Sequence, residues 1–353
     1  MQERCRRLSK NVPDIHKLNI RTFNSFGYLV NRHCSENELH VAFEGDDEAA
    51  KLFFQEKFDE LFLGDKDFHK KAVNFLAFFH RPERDQFDFQ TKNEFSRHEA
   101  SFKNISLDGK KLNSREEVQI ANFFCLHGIQ YEYQKHYPLQ PEDRNADYAS
   151  YHPDFYLPDY QIWHEHLGID REGNVPSWFS VSPKHATAKD AYHAGILWKE
   201  SIHAKYKTTL VKTYSFENRE GSLLSNLKKR LLKHGVVFKQ LRPDEILGLL
   251  KQSAHYKDFI ELIFTFLGLM KSNRRALESL STGILDKRFK VFLDVFKPLY
   301  HLYEERLRER SELDFNDMIN QATQYIEANQ FKKSFKYVLI DEFQDMSIAR
   351  YKS

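Results

Sequence analysis

Cysteine is scarce in this chain: only Cys5, Cys34 and Cys125 occur among 353 residues. Their odd number and wide spacing exclude a framework of disulfide bonds and a cysteine zinc cluster. Long apolar runs are also missing. Mean hydropathy is −0.65, and no run reaches the roughly 20 apolar residues that span a bilayer. The first residues carry no apolar stretch after their charges, so we expect no secretory signal. These absences predict a cytoplasmic chain without a membrane partner.

The chain also lacks a marked excess of positive or negative charge. The chain has 53 Lys and Arg against 51 Asp and Glu, a net charge of +2. The overall charge therefore does not predict a nucleic-acid partner, and any such surface must come from local clusters. The 17 histidines include His164 and His166, but their spacing lacks the four residues that a helical zinc motif needs, so we predict no zinc site.

A phosphate-binding loop is the third absence. None of the 13 glycines begins a Gly-x-x-x-x-Gly-Lys sequence, whose backbone amides and lysine hold nucleotide phosphates. Hydrophobic residues make up 41% of the chain and aromatic residues 14%. This content and the length are sufficient for the cores of two or three domains.

The most informative segment lies near the carboxyl end. The apolar run 337–340 predicts a fully buried strand of a parallel sheet, and the acidic sequence 341–345 follows it directly. Ligands bind at the carboxyl ends of such strands. An Asp-Glu pair there suits a nucleoside triphosphatase, with Asp341 holding Mg²⁺ and Glu342 orienting water. A surface acidic loop is the alternative interpretation.

Residues 338–345 closely resemble motif II (Walker B) of the UvrD/Rep branch of superfamily 1 DNA helicases. Residues 1–4 and 21–27 resemble the end of motif Ia and the motif that follows it, although Asn24 stands where His is usual. Residues 314–319 match the Asp-Phe-x-Asp signature that precedes motif II, with Asp314 placed as a helix cap.

This resemblance implies an ATP-dependent DNA helicase that moves 3′ to 5′ and acts in DNA repair or recombination, associated with the nucleoid. It implies ATP with Mg²⁺ as cofactor, Gln344 as the sensor of the γ-phosphate, and single-stranded DNA or a junction as partner. Thr22 and Ser25 would contact a DNA phosphate, although a helix cap and a turn are the alternative.

The resemblance runs only from late motif Ia to motif II. Because the Walker A loop is missing, we expect a fragment that neither hydrolyses ATP nor unwinds DNA alone. It would be a remnant of an interrupted gene, or half of a split enzyme completed by a second chain. A helicase remnant that only binds DNA or a partner is a further alternative.

The middle of the chain resembles the PD-(D/E)XK nuclease fold, as in the helicase IV-like subset. A helix that starts at Ser114 carries Glu117, Asp154 follows a proline, and a strand carries Glu165. In that fold the acids gather Mg²⁺ or Mn²⁺ to activate water. The resemblance implies Asp154 and Glu165 as metal ligands and Glu117 as a supporting acid.

One position departs from this pattern. The family's lysine would fall at position 167, which is Leu. Lys199 on a predicted helix is the first candidate to replace it, and His166 is the second. An inactive nuclease-like fold is the alternative.

These patterns predict a multi-domain α/β protein. A partial RecA-like parallel sheet (1–35 and 331–353) would join a helical subdomain (36–113 and 251–330), with a restriction-endonuclease-like insertion (114–250). The sheet strands would be residues 18–22 and 337–340. A group of basic residues predicts either a groove beside DNA or a solvated helix face: Lys271, Arg274, Arg275, Lys287, Arg288 and Lys290.

Overall fold

A computed structural model describes residues 19–36, 38–80, 84, 86–102, 104–144, 148–180, 184–281 and 286–340. The chain divides into two compact units. Unit 1 comprises residues 1–68 and 258–353, and unit 2 comprises residues 69–257. The fold is mixed α/β and rich in helices, with small sheets, which confirms the fold class in its coarse form. The predicted borders of the insertion, 114 and 250, both lie inside unit 2, so the five-part division stays a prediction.

In chain order the described helices are α1 (Phe23–Cys34), α2 (Asp47–Gly64), α3 (Lys66–Asn74), α4 (Lys92–Ala100), α5 (Arg115–Leu126), α6 (Ala188–Lys205), α7 (Ser215–Arg219), α8 (Leu223–Lys233), α9 (Pro243–Gln252), α10 (Ala254–Ser272), α11 (Lys287–Glu309) and α12 (Phe315–Glu327). The described strands are β1 (His40–Val41), β2 (Glu132–Tyr133), β3 (Phe155–Leu157), β4 (Ile162–Leu167), β5 (Thr209–Tyr214) and β6 (Glu312–Leu313). Short 3-10 turns lie at Ala42–Gly45, Gln86–Asp88, Pro141–Asp143, Pro158–Tyr160 and Leu277–Ser281, and one π-helical turn at Phe75–Phe79.

Unit 1 joins the early and late parts of the chain. Helices α1 and α12 pack together through Val30, Ala322 and Phe331. The buried amide of Asn31 donates to the carbonyl of Gly27 and to that of Met318, each at 2.7 Å, and so links the two helices. Strands β1 and β6 pair in parallel beside them.

Helix α12 begins where the sequence predicts. The Asp314 carboxylate accepts a hydrogen bond from the Asp317 amide at 2.8 Å, which confirms Asp314 as the cap. The ring of Phe315 packs against Gly45, whose φ is +79°. A Cβ on Gly45 would lie 2.9 Å from that ring, so only glycine fits this turn.

The ammonium of Lys271 lies in a buried cluster of acids in unit 1. Its Nζ is 2.6 Å from both Asp314 Oδ2 and Asp317 Oδ2 and 2.7 Å from Glu304 Oε1. Burial and the Asp314 charge raise the pKa of Asp317 to about 7. The prediction that Lys271 belongs to a basic groove or a solvated face is therefore wrong, because its charge is used inside the fold.

Unit 2 is built on a mixed sheet in the order β2-β3-β4-β5. The first two pairings are antiparallel, and β4 pairs with β5 in parallel. Helix α5 begins where the sequence predicts, with Ser114 as its cap, and packs with α8 on one apolar cluster of the sheet. A second cluster on the sheet includes Trp163 of β4 and Ile202 of α6. Neighbouring β4 residues alternate between the two clusters because strand side chains alternate between faces.

Both strands predicted for a RecA-like sheet are wrong in the described part of the chain. Residues 337–340 form no strand, and the side chain of Leu339 is 96% exposed. Residues 19–22 are not a strand either, because Thr22 caps α1. The physical reason is pairing: a strand needs a neighbour for its amides and carbonyls, and no described strand lies beside either segment.

Candidate active site

The carboxylates expected from the nuclease resemblance lie at one end of the sheet of unit 2. Asp154 directly precedes β3, and its Oδ2 accepts a hydrogen bond of 2.6 Å from the His166 amide on the neighbouring β4. Glu165 lies one residue earlier on β4, and it is buried. The strand pairing therefore brings Asp154 beside the backbone that carries Glu165.

Lys199 of α6 meets Glu165. Its Nζ lies 2.6 Å from Glu165 Oε2, and the side chain of Glu165 is 4% exposed against 30% for that of Lys199. The other carboxylate oxygen, Oε1, is buried and has no hydrogen-bond partner among the described residues. A lysine from a helix thus contacts this strand acid. The lysine that the nuclease pattern would place on the strand, at position 167, is missing.

His166 points to a different set of partners. Its Nε2 hydrogen-bonds Glu116 Oε2 at 2.7 Å, and its Nδ1 hydrogen-bonds Thr213 Oγ1 at 2.8 Å. His164 also hydrogen-bonds Thr213, at 3.0 Å. Both histidines therefore share a face of β4 that excludes Glu165, as the alternation along a regular strand requires. Lys199, rather than His166, is the basic group beside Glu165.

Glu116 is a site residue that the sequence interpretation missed. Ser215 and Asn218 donate hydrogen bonds to its carboxylate, in addition to the contact with His166. Its position beside Glu117 in the sequence was visible, but its partners come from β4 and α7, far along the chain. Glu117 itself accepts hydrogen bonds from the Tyr133 hydroxyl at 2.5 Å and from the Asn113 amide at 3.2 Å.

The acids of the site differ in their proton affinity. Burial, together with the charges of Glu165 and Glu117, raises the pKa of Asp154 well above its ordinary value. Burial also raises the pKa of Glu117. Burial acts in the same direction on Glu116, but the charge and hydrogen bond of His166 and the hydrogen bonds of Ser215 and Asn218 outweigh it and lower the pKa of Glu116.

A cleft of about 470 Å³ opens beside Glu116, Glu117 and His166, and Asp154 and Glu165 are not among its lining residues. We call it the acid cleft. Its charged lining comprises four acids, one histidine and three arginines: Asp88, Glu99, Glu116, Glu117, His166, Arg84, Arg115 and Arg219. Carboxylates can hold a cation or a proton, and guanidinium groups can hold a phosphate, so the lining suits a phosphodiester substrate.

A divalent metal fits this site only in part. The described residues contain no group of three or more His, Cys, Asp or Glu side chains arranged to hold a metal ion. Two carboxylates remain as candidate ligands, Asp154 and Glu165. The unpartnered Oε1 of Glu165 is the observation that favours a cation there, because a buried carboxylate oxygen without a partner is costly.

The residues expected to act on nucleotide and DNA fall in the sequence ranges of unit 1. Asp341, Glu342 and Gln344 fall outside the described residues, as does the segment 1–4. Thr22 Oγ1 accepts a hydrogen bond from the Ser25 amide at 3.2 Å, and Ser25 Oγ accepts one from Arg21. The Thr22 hydroxyl thus caps α1, which was the alternative to a phosphate contact, and the Ser25 hydroxyl is occupied by the Arg21 side chain. Among the described helices, none has the length and apolarity to cross a membrane.

Comparison with known proteins gives three findings. The family model for the UvrD/REP helicase N-terminal domain matches residues 1–353. The putative ATP-dependent DNA helicase YjcD of Bacillus subtilis is 41% identical over 59 residues, which cover 15% of this chain and 8% of that protein. The ATP-dependent DNA helicase UvrD1 of Mycobacterium tuberculosis is 34% identical over 58 residues, with the same coverage. The matched segment thus spans less than a tenth of these curated relatives. No solved structure matches the chain.

Proposed function

Because this chain belongs to the UvrD/REP helicase N-terminal domain family, we propose that it acts as part of an ATP-dependent DNA helicase in DNA repair or recombination. The observation that carries this proposal is the family match over the whole chain, supported by the acidic motif that follows residue 340. Movement 3′ to 5′ on single-stranded DNA or a junction, and association with the nucleoid, are the finer parts of the proposal.

In this proposal, Asp341 holds the Mg²⁺ of ATP, Glu342 positions water, and Gln344 responds to the γ-phosphate. Thr22 and Ser25 would lie near a DNA phosphate at the start of α1. No Gly-x-x-x-x-Gly-Lys sequence occurs in the 353 residues, so the phosphate loop would come from outside them, for example from a second polypeptide.

DNA-stimulated phosphate release by the purified chain tests the helicase proposal. We expect no turnover by this chain alone, and turnover when a polypeptide that carries the phosphate loop is added. Turnover by the chain alone that disappears in Asp341→Ala would contradict the need for a second chain. Absence of turnover in both cases would contradict the helicase proposal.

We propose a metal-dependent DNA nuclease as a second function, located in unit 2. The observation that favours it is the contact between Lys199 and Glu165 beside Asp154 at the end of a mixed sheet. Lysine and two acids in this relation are the groups that phosphodiester hydrolysis uses in the nuclease fold that the sequence resembles.

The proposed roles follow from the geometry. Asp154 and Glu165 would hold Mg²⁺ or Mn²⁺, which supplies Lewis-acid stabilisation and lowers the pKa of a bound water. The Lys199 ammonium pairs with Oε2 of the buried Glu165 at 2.6 Å, which leaves Oε1 without a hydrogen-bond partner among the described residues. Glu117, with its raised pKa, would hold a proton near the leaving oxygen.

A cleavage assay with Mg²⁺ or Mn²⁺ on linear and flapped DNA tests this function. Asp154→Asn, Glu165→Gln and Lys199→Met should each lower the rate by at least about a hundredfold, as loss of a group acting in the transition state does. Glu132→Gln, an exposed acid on β2, is the matched control and should keep the rate. A rate unchanged by Asp154→Asn, or no cleavage at all, would leave unit 2 as a non-catalytic binding module.

A further inference from the structure

A second cleft adjoins the acid cleft in unit 2. Its volume is about 450 Å³, and it is lined mainly by aromatic and small side chains with Lys92. Phe179 and Tyr192 line both clefts. A strand of nucleic acid whose phosphate lies in the acid cleft would therefore place its next nucleotide against these two rings.

The rings form what we call the aromatic platform, made of Trp178, Phe179 and Tyr192. Trp178 stacks on Phe95, with centroids 4.8 Å apart and an interplanar angle of 19°. Its Nε1 donates to the carbonyl of Gln86 at 2.9 Å. Phe179 packs edge-on against Trp178 and lies 5.4 Å from Tyr192. Each ring is partly exposed and packs against another aromatic ring, which restrains its orientation.

The segment that carries the platform is fastened along its length. Asn174 hydrogen-bonds Asp170 through its amide nitrogen and its side chain, at 2.6 and 2.9 Å. His193 hydrogen-bonds the carbonyl of Gly173 at 2.8 Å, and Lys189 donates to the carbonyl of Glu172 at 2.9 Å. Contacts with α6 thus hold the loop from one side and the Trp178 contact holds it from the other. Ordering a ligand on a preformed surface loses less entropy than ordering the surface itself.

We propose that the aromatic platform binds an unpaired base that flanks the phosphate in the acid cleft, so that unit 2 acts on single-stranded DNA or on the single-stranded arm of a flap. The inference rests on the proposed nuclease function. Base faces are available for stacking only in unpaired strands, because a duplex buries them between neighbouring pairs. Lys92 beside the platform brings positive charge, which a phosphate backbone requires, and Arg84 of the acid cleft adds to it although it also pairs with Glu94 at 3.3 Å.

Binding without cleavage tests the proposal in the full-length chain. Fluorescence anisotropy of a labelled single strand and of its duplex is measured in EDTA, so that hydrolysis plays no part. Phe179→Leu, which keeps an apolar side chain but removes the π face, should weaken binding of the single strand about fivefold or more. Lys92→Gln should flatten the slope of log affinity against log salt by about 0.7. Phe238→Leu and Lys229→Gln are matched controls elsewhere in unit 2 and should change neither quantity.

Crosslinking locates the base independently of affinity. A single strand that carries 5-iodouracil is irradiated with the chain, and the attached residues are identified by mass spectrometry. Crosslinks at Trp178, Phe179 or Tyr192 support the proposal. Crosslinks confined to other residues, or equal affinity of Phe179→Leu and the parent chain, overturn it even if cleavage persists. If the platform crosslinks but Mg²⁺ and Mn²⁺ give no cleavage, the nuclease function fails while the platform remains a single-strand site.

Discussion

Replacing Lys271 by Met removes the cation that, among the described residues, contacts the buried acid cluster of unit 1. Met keeps most of the apolar stem, so packing is largely retained and the charge is lost. Removing one partner of a buried ion pair typically costs about 3–5 kcal/mol. One ammonium here contacts three carboxylates, which argues for the upper end, whereas the side chain of Glu304 is 31% exposed and keeps some hydration. We therefore expect unit 1 to lose about 4 kcal/mol of stability.

The tryptophans make this measurable for each unit. Trp163, Trp178 and Trp198 all lie in unit 2, so tryptophan fluorescence follows the unfolding of unit 2, whereas helical circular dichroism follows both units. In Lys271→Met, the dichroism transition in urea should begin at lower concentration, and the fluorescence transition should stay in place. Since two units need not unfold together, the two signals must be fitted separately.

Two variants make the result decisive. Lys290→Met removes an exposed lysine from α11 and should shift neither transition. Adding Asp317→Asn to Lys271→Met should restore part of the loss, because one of the buried charges is then gone. An unchanged dichroism transition in Lys271→Met would refute the reasoning, since the cluster would then be stable without its cation.

The remaining predictions concern a pH effect and a second buried ion pair. The pKa of Asp317, about 7, exceeds its ordinary value of 3.8, so its contribution to stability is present at low pH and is lost as pH rises through 7. Asp317→Asn should therefore gain on the order of 2 kcal/mol relative to the parent between pH 5 and pH 8, and an equal difference at both pH values would contradict the assignment. Arg230→Met should lower the stability of unit 2 by about 3 kcal/mol, because the side chain of Glu217, 2% exposed, would lose its bidentate partner. The fluorescence transition reports it, with Lys229→Met on the same helix as control.

Local signals in the sequence predicted much of unit 2. Ser114 caps α5, and the apolar spacing after it places Val118, Phe123 and Phe124 in the core. Strand alternation accounts for the shared face of His164 and His166 on β4. The helix predicted around Lys199 is α6. In each case, neighbours in the sequence determine the geometry.

Contacts between distant segments explain what the sequence did not predict. The run 337–340 has the composition of a buried strand, but a strand forms only with a partner, and composition cannot supply one. The partners of Glu116 come from β4 and α7, and the acids around Lys271 come from α11 and α12. The sequence of a helix does not distinguish an exposed lysine from one that pairs with buried acids. Lys271 was therefore predicted together with the other basic residues of this region.

The interleaved order of the two units has a consequence for how the chain folds. Unit 2 is one continuous segment, so a ribosome delivers all of it before the last part of unit 1 has emerged. Unit 1 cannot complete its own core until α12 exists, because Asn31 must reach a carbonyl 287 residues further along the chain. Helix α1 therefore has no α12 to pack against while unit 2 is being synthesised. A pause or stop in translation after residue 257 would yield a folded unit 2 attached to a first half of unit 1 that chaperones must hold.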